Sequence, residues 1–159
     1  MEKGLVIRPL RALDIPDVAR WIAATPLWQR YGVTEESMAE RLRRGLACTA
    51  GLYVAERAGE VLGLLWYVEH GAFDRSGYVR LLGVRPEQRG HGVGRALLEY
   101  AEGQCFSGGR DLFLLVSDFN TRAQAFYGRL GYREAGRLQD YVIPGVAELI
   151  LWKPHTEME

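Results

Sequence analysis

Apolar positions along this chain follow two rhythms, a helical one and a strand one, and the order in which they alternate sketches the fold. Leu5-Val6-Ile7-Arg8 is a short first strand. Asp14 then caps a helix that has Pro16 and Asp17 in its first turn. Ile15, Val18 and Ile22 share one face of it, with Trp21 beside them, to about Ala24. A bend rich in aromatics (Pro26, Trp28, Tyr31) leads to Thr34, the cap of a second helix. That helix is acidic at its start (Glu35, Glu36) and basic at its end (Arg41, Arg43, Arg44), as the helix dipole favours, and Gly45 stops it. Residues 52–55 and 61–68 read as strands of an antiparallel hairpin turned through Arg57-Ala58-Gly59-Glu60.

A loop from Gly71 to Gly77 precedes a further strand, Tyr78 to Val84, which leads into a segment rich in glycine. The helix after it, from about Gly92 to Glu102, keeps Val93, Leu97 and Ala101 on one face. The next strand, Leu112-Phe113-Leu114-Leu115-Val116, is so apolar that it is expected to be covered on both faces. Strand, helix and strand make a right-handed crossover between parallel neighbours. A helix from near Asn120 carries Ala123, Phe126, Tyr127 and Leu130 and stops at Gly131. The last strand lies within Ala147 to Trp152.

At 159 residues, 48% of them apolar, the chain is expected to form one domain spanning 1–159 with a real core. Lys plus Arg and Asp plus Glu balance at 20 each, so no net field recruits nucleic acid or an anionic membrane. Cys48 and Cys105 stand far apart without metal-ligand spacing and read as buried thiols of a reducing compartment; no metal is expected. With no apolar run near membrane length and no signal-peptide core at Met1-Glu2-Lys3-Gly4, the expected location is the cytoplasm.

The most informative stretch is Gln88-Arg89-Gly90-His91-Gly92-Val93-Gly94, between a strand and a helix. Glycines at 90, 92 and 94 remove the Cβ atoms that would keep a ligand off the main chain. The N–H groups of a first helical turn, together with the helix dipole, then favour an anion there. This points to a phosphorylated cofactor, and a tight turn alone is the plainer alternative. A P-loop is excluded, because Gly94 is followed by Arg95 and Ala96 where lysine and Ser or Thr belong. A dinucleotide fingerprint fails too, since Arg95 stands where its third glycine would be.

The stretch from Leu82 to Gly94, with Pro86 and Arg89-x-x-Gly92-x-Gly94, resembles the acetyl-CoA motif of the GNAT superfamily of N-acetyltransferases. Asn120-Thr121-Arg122-Ala123-Gln124-Ala125-Phe126-Tyr127, followed by Leu130-Gly131-Tyr132, is similar to that family's second motif, in the right order and about 30 residues on. The resemblance covers nearly the whole chain. It implies an α/β (α+β) fold, a mixed, splayed β-sheet flanked by helices. It also implies that the main-chain N–H groups of Arg89, Gly90, His91, Gly92, Val93 and Gly94 bind the pyrophosphate of acetyl-CoA, and that Leu82 and Val84 pair with its pantetheine arm. Leu82 and Val84 also read as strand core, and His91 as an exposed turn residue.

Transfer of an acetyl group to an amine passes through a tetrahedral intermediate and releases a thiolate, so the site benefits from an acid aimed at the sulfur. Tyr127 suits that role, a phenol being protonated at physiological pH. Asn120, Ala123 and Tyr127 share a helix face at i, i+3 and i+7, where Asn120 caps the helix, touches the cofactor, or both. Periodicity alone makes Tyr127 a core aromatic beside Phe126; the resemblance makes it the acid. The base is harder to place. Arg80 stands where many family members carry a carboxylate, leaving Glu69 as the candidate, with His70, Asp74 or a water chain as alternatives.

The leading expectation is therefore an enzyme that moves acetyl from acetyl-CoA to a primary amine of a small molecule or peptide, without nucleic acid or membrane, and with a homodimer as one option for its assembly. A catalytically inactive CoA-binding regulatory or sensor domain of the same fold is the alternative, and a structural domain without cofactor the third. Trp28, Tyr31, Trp66, Phe73 and Tyr141 are aromatic candidates for an acceptor pocket, and equally for core.

Overall fold

Seven strands and five α-helices make up the computed structural model, which describes residues 4–48 and 51–156. The strands are β1 (Val6–Pro9), β2 (Leu52–Arg57), β3 (Glu60–Ala72), β4 (Ser76–Val84), β5 (Leu112–Ser117), β6 (Arg133–Gln139) and β7 (Ala147–Lys153). The helices are α1 (Ile15–Ala23), α2 (Pro26–Arg30), α3 (Glu35–Cys48), α4 (Val93–Phe106) and α5 (Thr121–Arg129). The strands form one mixed sheet in the order β1-β2-β3-β4-β5-β7-β6, the expected α/β class. β4 and β5 pair in parallel over three positions only, Gly77–Leu112, Tyr78–Phe113 and Val79–Leu114, as the crossover rule requires of a strand-helix-strand unit. Contacts divide the chain into two compact units, Met1–Tyr67 with Leu81–Ala101, and Val68–Arg80 with Glu102–Glu159.

In the first unit, β1 lies antiparallel to β2, and β2 to β3 through a turn at Ala58 and Gly59, both at positive φ. Ile15, Val18, Trp21 and Ile22 of α1 are buried, as are Met38 and Leu42 of α3. Asp14 does not cap α1. Its carboxylate accepts from Arg8 at 2.8 and 3.0 Å and from the Arg11 N–H at 2.8 Å, which closes a 3-10 turn at 12–14 ahead of the helix. Thr34 does start α3, its hydroxyl accepting from the Ser37 N–H at 3.0 Å. Three expectations fail nearby. The aromatic bend is the short helix α2, because Pro26 occupies a first-turn position that needs no N–H. Gly45 does not stop α3, which runs on to Cys48; a Cβ at Gly45 would come within 2.7 Å of Trp66, so the glycine admits that indole. Cys48 is exposed, contrary to expectation, while Cys105 is buried.

In the second unit β5 alternates instead of being covered on both faces. Leu112, Leu114 and Val116 are buried, and Phe113 and Leu115 half-buried. Its antiparallel neighbour β7 pairs in turn with β6, a strand the hydrophobic pattern did not reveal. The reason is its position: β6 is at the sheet edge with a register shift between Glu134 and Gly136, and its sequence Arg-Glu-Ala-Gly-Arg-Leu-Gln is mostly exposed. The loop expected at 71–77 is also shorter, because β3 runs to Ala72 and β4 starts at Ser76, around Phe73 and Asp74 at positive φ.

Candidate acetyl-CoA site

The chain leaves β4 at Val84 and enters α4 at Val93 through a single 3-10 turn, Pro86–Gln88. Pro86 forces Arg85 into an extended conformation (φ −51°, ψ 130°), and Arg89 is extended as well (φ −65°, ψ 144°). Gly90 and Gly92 then take φ of +79° and +80°, where a side chain is strained, and nothing lies within 4 Å of the Cβ either would carry. Among the described residues the N–H groups of Gly90, His91 and Gly92 donate no hydrogen bond, although Gly92 accepts one at its carbonyl from Ala96 at 3.0 Å. Three unspent donors in open space thus precede the first turn of α4, whose own N–H groups have no partner inside the helix. This arrangement fits an anion such as a pyrophosphate.

The helix is held where it can serve the turn. Val93, Leu97, Leu98 and Ala101 are buried, and α4 approaches β3 so closely at Gly63 that a Cβ there would meet Leu97 at 2.8 Å and Val93 at 2.9 Å. Leu82 and Val84 alternate with buried Leu81 and Gly83 and are half-buried. His91 is exposed, as are Arg89, Gly90 and Gly92. The fold brings together in this unit all the residues from Leu82 to Gly94 that the first motif named.

In the second unit Asn120 accepts from the Ala123 N–H at 3.2 Å, so it caps α5. Gln124 adds to that anchorage, donating from its side chain to the carbonyls of Ser117 and Asp118, each at 3.0 Å. Tyr127, on the same helix, is buried at 8% exposure. Its ring lies edge-on to Phe126 at 5.2 Å and to Tyr132 at 5.7 Å. Among the described residues its hydroxyl has no hydrogen-bond partner. Burial pushes its phenol above the ordinary value of 10.0, so it keeps its proton.

Tyr132 differs in this respect. It donates to the Glu102 carboxylate at 3.0 Å, which also accepts from Lys153 at 2.9 Å, and Lys153 lies 5.6 Å from the Tyr132 ring. No local signal could have revealed this group, because its members are 21 to 51 positions apart in sequence. Glu69 is placed less simply than expected. Arg110 holds one of its oxygens at 2.6 Å, just ahead of β5, whereas α5 starts after the far end of that strand. Six strand residues span roughly 20 Å. Of the aromatic candidates, Trp66 is core, Phe73 and Tyr141 are exposed, and Trp28 and Tyr31 pair at 6.5 Å. Among the described residues, no three His, Cys, Asp or Glu side chains gather as a metal site, and no helix is long and apolar enough to cross a membrane.

A glycine turn with unpaired donors at the head of a helix buried along one face, in a mixed sheet with one parallel crossover, defines an α/β fold with a candidate anion site. The family model described as the Acetyltransferase (GNAT) family matches residues 15–132, and the chain belongs to that family. Among curated proteins it is 32% identical over 151 residues to a mycothiol acetyltransferase of Streptomyces coelicolor, covering 79% of this chain and 48% of the relative. To the mycothiol acetyltransferase of Thermobispora bispora it is 38% identical over 104 residues, 62% of this chain and 35% of the relative. The chain thus spans half or less of the length of these relatives. In fold it is similar to Ard1 from Thermoplasma volcanium (TM-score 0.79, 23% identity, 97% of this chain and 99% of that one). It is also similar to yncA from Salmonella typhimurium, solved with acetyl-CoA (TM-score 0.75, 16% identity, 98% and 96%).

Proposed function

We propose that the chain is one N-acetyltransferase domain, residues 1–159, that transfers the acetyl group of acetyl-CoA to a primary amine of a small molecule or peptide. The observation that carries this reading is the set of unpaired N–H groups at Gly90, His91 and Gly92, backed by Gly92 and Gly90 in a conformation only glycine takes easily. Membership of the family and the mycothiol acetyltransferase relatives support it.

Bound acetyl-CoA supplies the thioester that makes the acetyl group transferable. The main chain from Arg89 to Gly94 would hold the pyrophosphate, and the buried Val93 side chain anchors the start of α4. In the first unit Leu82 and Val84 offer main-chain groups to the pantetheine arm; in the second, Asn120 and Ala123 are the proposed cofactor contacts of α5. Tyr127 holds a proton at its Oη and gives it to the sulfur as the thiolate leaves. Its phenol suits this because burial keeps it protonated through neutral pH and no neighbouring side chain competes for the hydrogen. Glu69, through water, takes the proton of the acceptor ammonium, and its bond to Arg110 must loosen for it to do so.

The test is thiol release from acetyl-CoA with a panel of primary amines, read alongside calorimetry of CoA. Turnover with at least one amine is expected. Tight CoA binding with no turnover across alkyl, aryl and peptide amines would overturn the enzymatic reading, and absence of CoA binding would overturn both.

A further inference from the structure

Eight residues separate β4 from α4, and among the described residues the hydrogen bonds and ion pairs that join them to β3 and α1 are those of Arg85. Its N–H donates to the Leu62 carbonyl at 2.8 Å, and its carbonyl accepts from Gln88 at 2.8 Å, closing the 3-10 turn. Its side chain, 17% exposed, reaches back: Nε donates to the Val61 carbonyl at 3.1 Å, Nη2 donates to Asp17 on the first turn of α1, and Glu60 lies at 3.7 Å. One guanidinium thereby ties together the end of β4, the start of β3 and the start of α1. Beyond it, among the described residues, the main-chain bonds that restrain the segment before α4 are the weak Arg89–Pro86 contact at 3.4 Å and the Ala96 bond to Gly92. Free donors at Gly90 to Gly92 bind an anion well only when their directions are fixed in advance, because ordering a loose loop on binding costs affinity.

We propose that Arg85 is the positioning residue of the phosphate turn. Its fork between Asp17 and the Val61 carbonyl holds the turn in the conformation that receives the pyrophosphate. The inference rests on the acetyl-CoA reading above. A lysine cannot reproduce it, since one ammonium lacks the planar fork that serves a carbonyl and a carboxylate together. Arg85 does not touch the reacting atoms, so the effect belongs in cofactor affinity and not in the chemical step.

The experiment compares Arg85→Ala, Arg85→Lys and Asp17→Asn with the unaltered chain, by calorimetry of CoA and steady-state kinetics with an accepted amine. Gly92→Glu serves as the control on the reading itself. Arg85→Ala should raise both Kd for CoA and KM for acetyl-CoA by about 10-fold or more, the scale of one charge-assisted hydrogen bond. At saturating acetyl-CoA its kcat should stay within about threefold. Arg85→Lys should recover part of the loss, and Asp17→Asn should weaken binding by less than Arg85→Ala. Should Arg85→Ala fail to fold, Asp17→Asn and Arg85→Lys carry the test, since either is expected to raise Kd with kcat held. Unchanged CoA affinity in the folded Arg85 variants, while Gly92→Glu loses binding, overturns the positioning role and leaves the site in place. A fall in kcat without a rise in KM overturns it too. Unchanged affinity in Gly92→Glu as well removes the reading on which the inference stands.

Discussion

The turn between β4 and α4 and the helix α5 share the work proposed for this protein, and they are built on opposite principles. In the turn nearly every useful group belongs to the main chain. Gly90 and Gly92 contribute by having no side chain, and among the described residues their N–H groups and that of His91 donate no hydrogen bond. In α5 the useful group is a side chain, Tyr127, and the surroundings serve to bury it, keep it neutral and leave its hydroxyl free. A backbone site tolerates any neighbour that preserves φ and ψ and fails when a Cβ is added. A side-chain site tolerates backbone changes and fails when one atom is removed. The two regions should therefore break under different substitutions and lose different kinetic quantities.

Gly92→Glu and Tyr127→Phe are expected to have the two largest effects, the first on cofactor affinity and the second on kcat. Gly92→Glu places a Cβ at φ +80°, and an anionic carboxylate among the donors. CoA affinity should fall at least about 100-fold, two elements of roughly 1 to 3 kcal/mol acting together. Titration calorimetry checks it, and undiminished affinity would show that the free N–H groups serve another purpose.

Tyr127→Phe probes the opposite design. The ring and its contacts with Phe126 and Tyr132 persist while the proton is lost, so kcat should drop by roughly 10²–10⁴ with CoA affinity nearly unchanged. The pH behaviour follows from the direction of the shift. A phenol whose folded value lies above 10.0 stays an acid throughout the neutral range, so kcat should show no alkaline decline from this group below about pH 10. Stability has the same sign: it is fully present below the unfolded value of 10.0 and falls as pH rises beyond it, because the unfolded chain ionises first. Rates of the unaltered and Phe variants across pH 6–10 decide this. A shared wild-type rate would return Tyr127 to plain packing.

The difference between the two regions also explains what could be read from the sequence. The geometry of the turn was legible because glycine spacing before a helix is a local signal, carried by residues adjacent in sequence. Asn120 as a cap and the helix through Tyr127 were legible for the same reason, since i+3 and i+7 spacings are local. Interactions across the chain were not. The Arg85 fork reaches Asp17, 68 positions away, the Tyr132–Glu102–Lys153 group spans 51, and Glu69 meets Arg110 41 positions on. β6 was missed because an edge strand carries polar residues where a central strand carries apolar ones. Gly45 misled because the same residue that ends helices also lets an indole approach one.

Glu69→Gln is expected to be milder, about 10-fold in kcat/KM, with the rising limb of its pH profile flattened or displaced. The carboxylate is mostly exposed and one oxygen is held by Arg110. Arg110→Ala would therefore sharpen the test by freeing that carboxylate. If Glu69 is the base, Arg110→Ala should raise kcat/KM, because the carboxylate no longer has to leave a guanidinium, while Glu69→Gln lowers it. Rates and profiles unaltered in both would move the base to His70, Asp74 or water.

The smallest effect is expected at Asn120, and it separates the two roles its position allows. Its side-chain oxygen accepts from the Ala123 N–H, one of the donors that α5 cannot satisfy internally. Asn120→Ala should cost about 1 kcal/mol of stability, which for a chain of this size lowers Tm by roughly 2–4 °C. Gln124 still fastens the helix to the carbonyls of Ser117 and Asp118, so α5 should not unravel. If capping is the whole role, Asn120→Asp keeps an oxygen acceptor and should restore Tm, and neither variant should alter CoA affinity. If the amide also touches the cofactor, Asn120→Asp should restore Tm yet weaken CoA binding, because a carboxylate brings negative charge and loses the amide donor. Thermal melts paired with calorimetry on the two variants distinguish these outcomes. A rise of Kd in both variants, beyond what the change in Tm accounts for, would place the side chain of Asn120 in the binding site and make α5 more than a carrier for Tyr127.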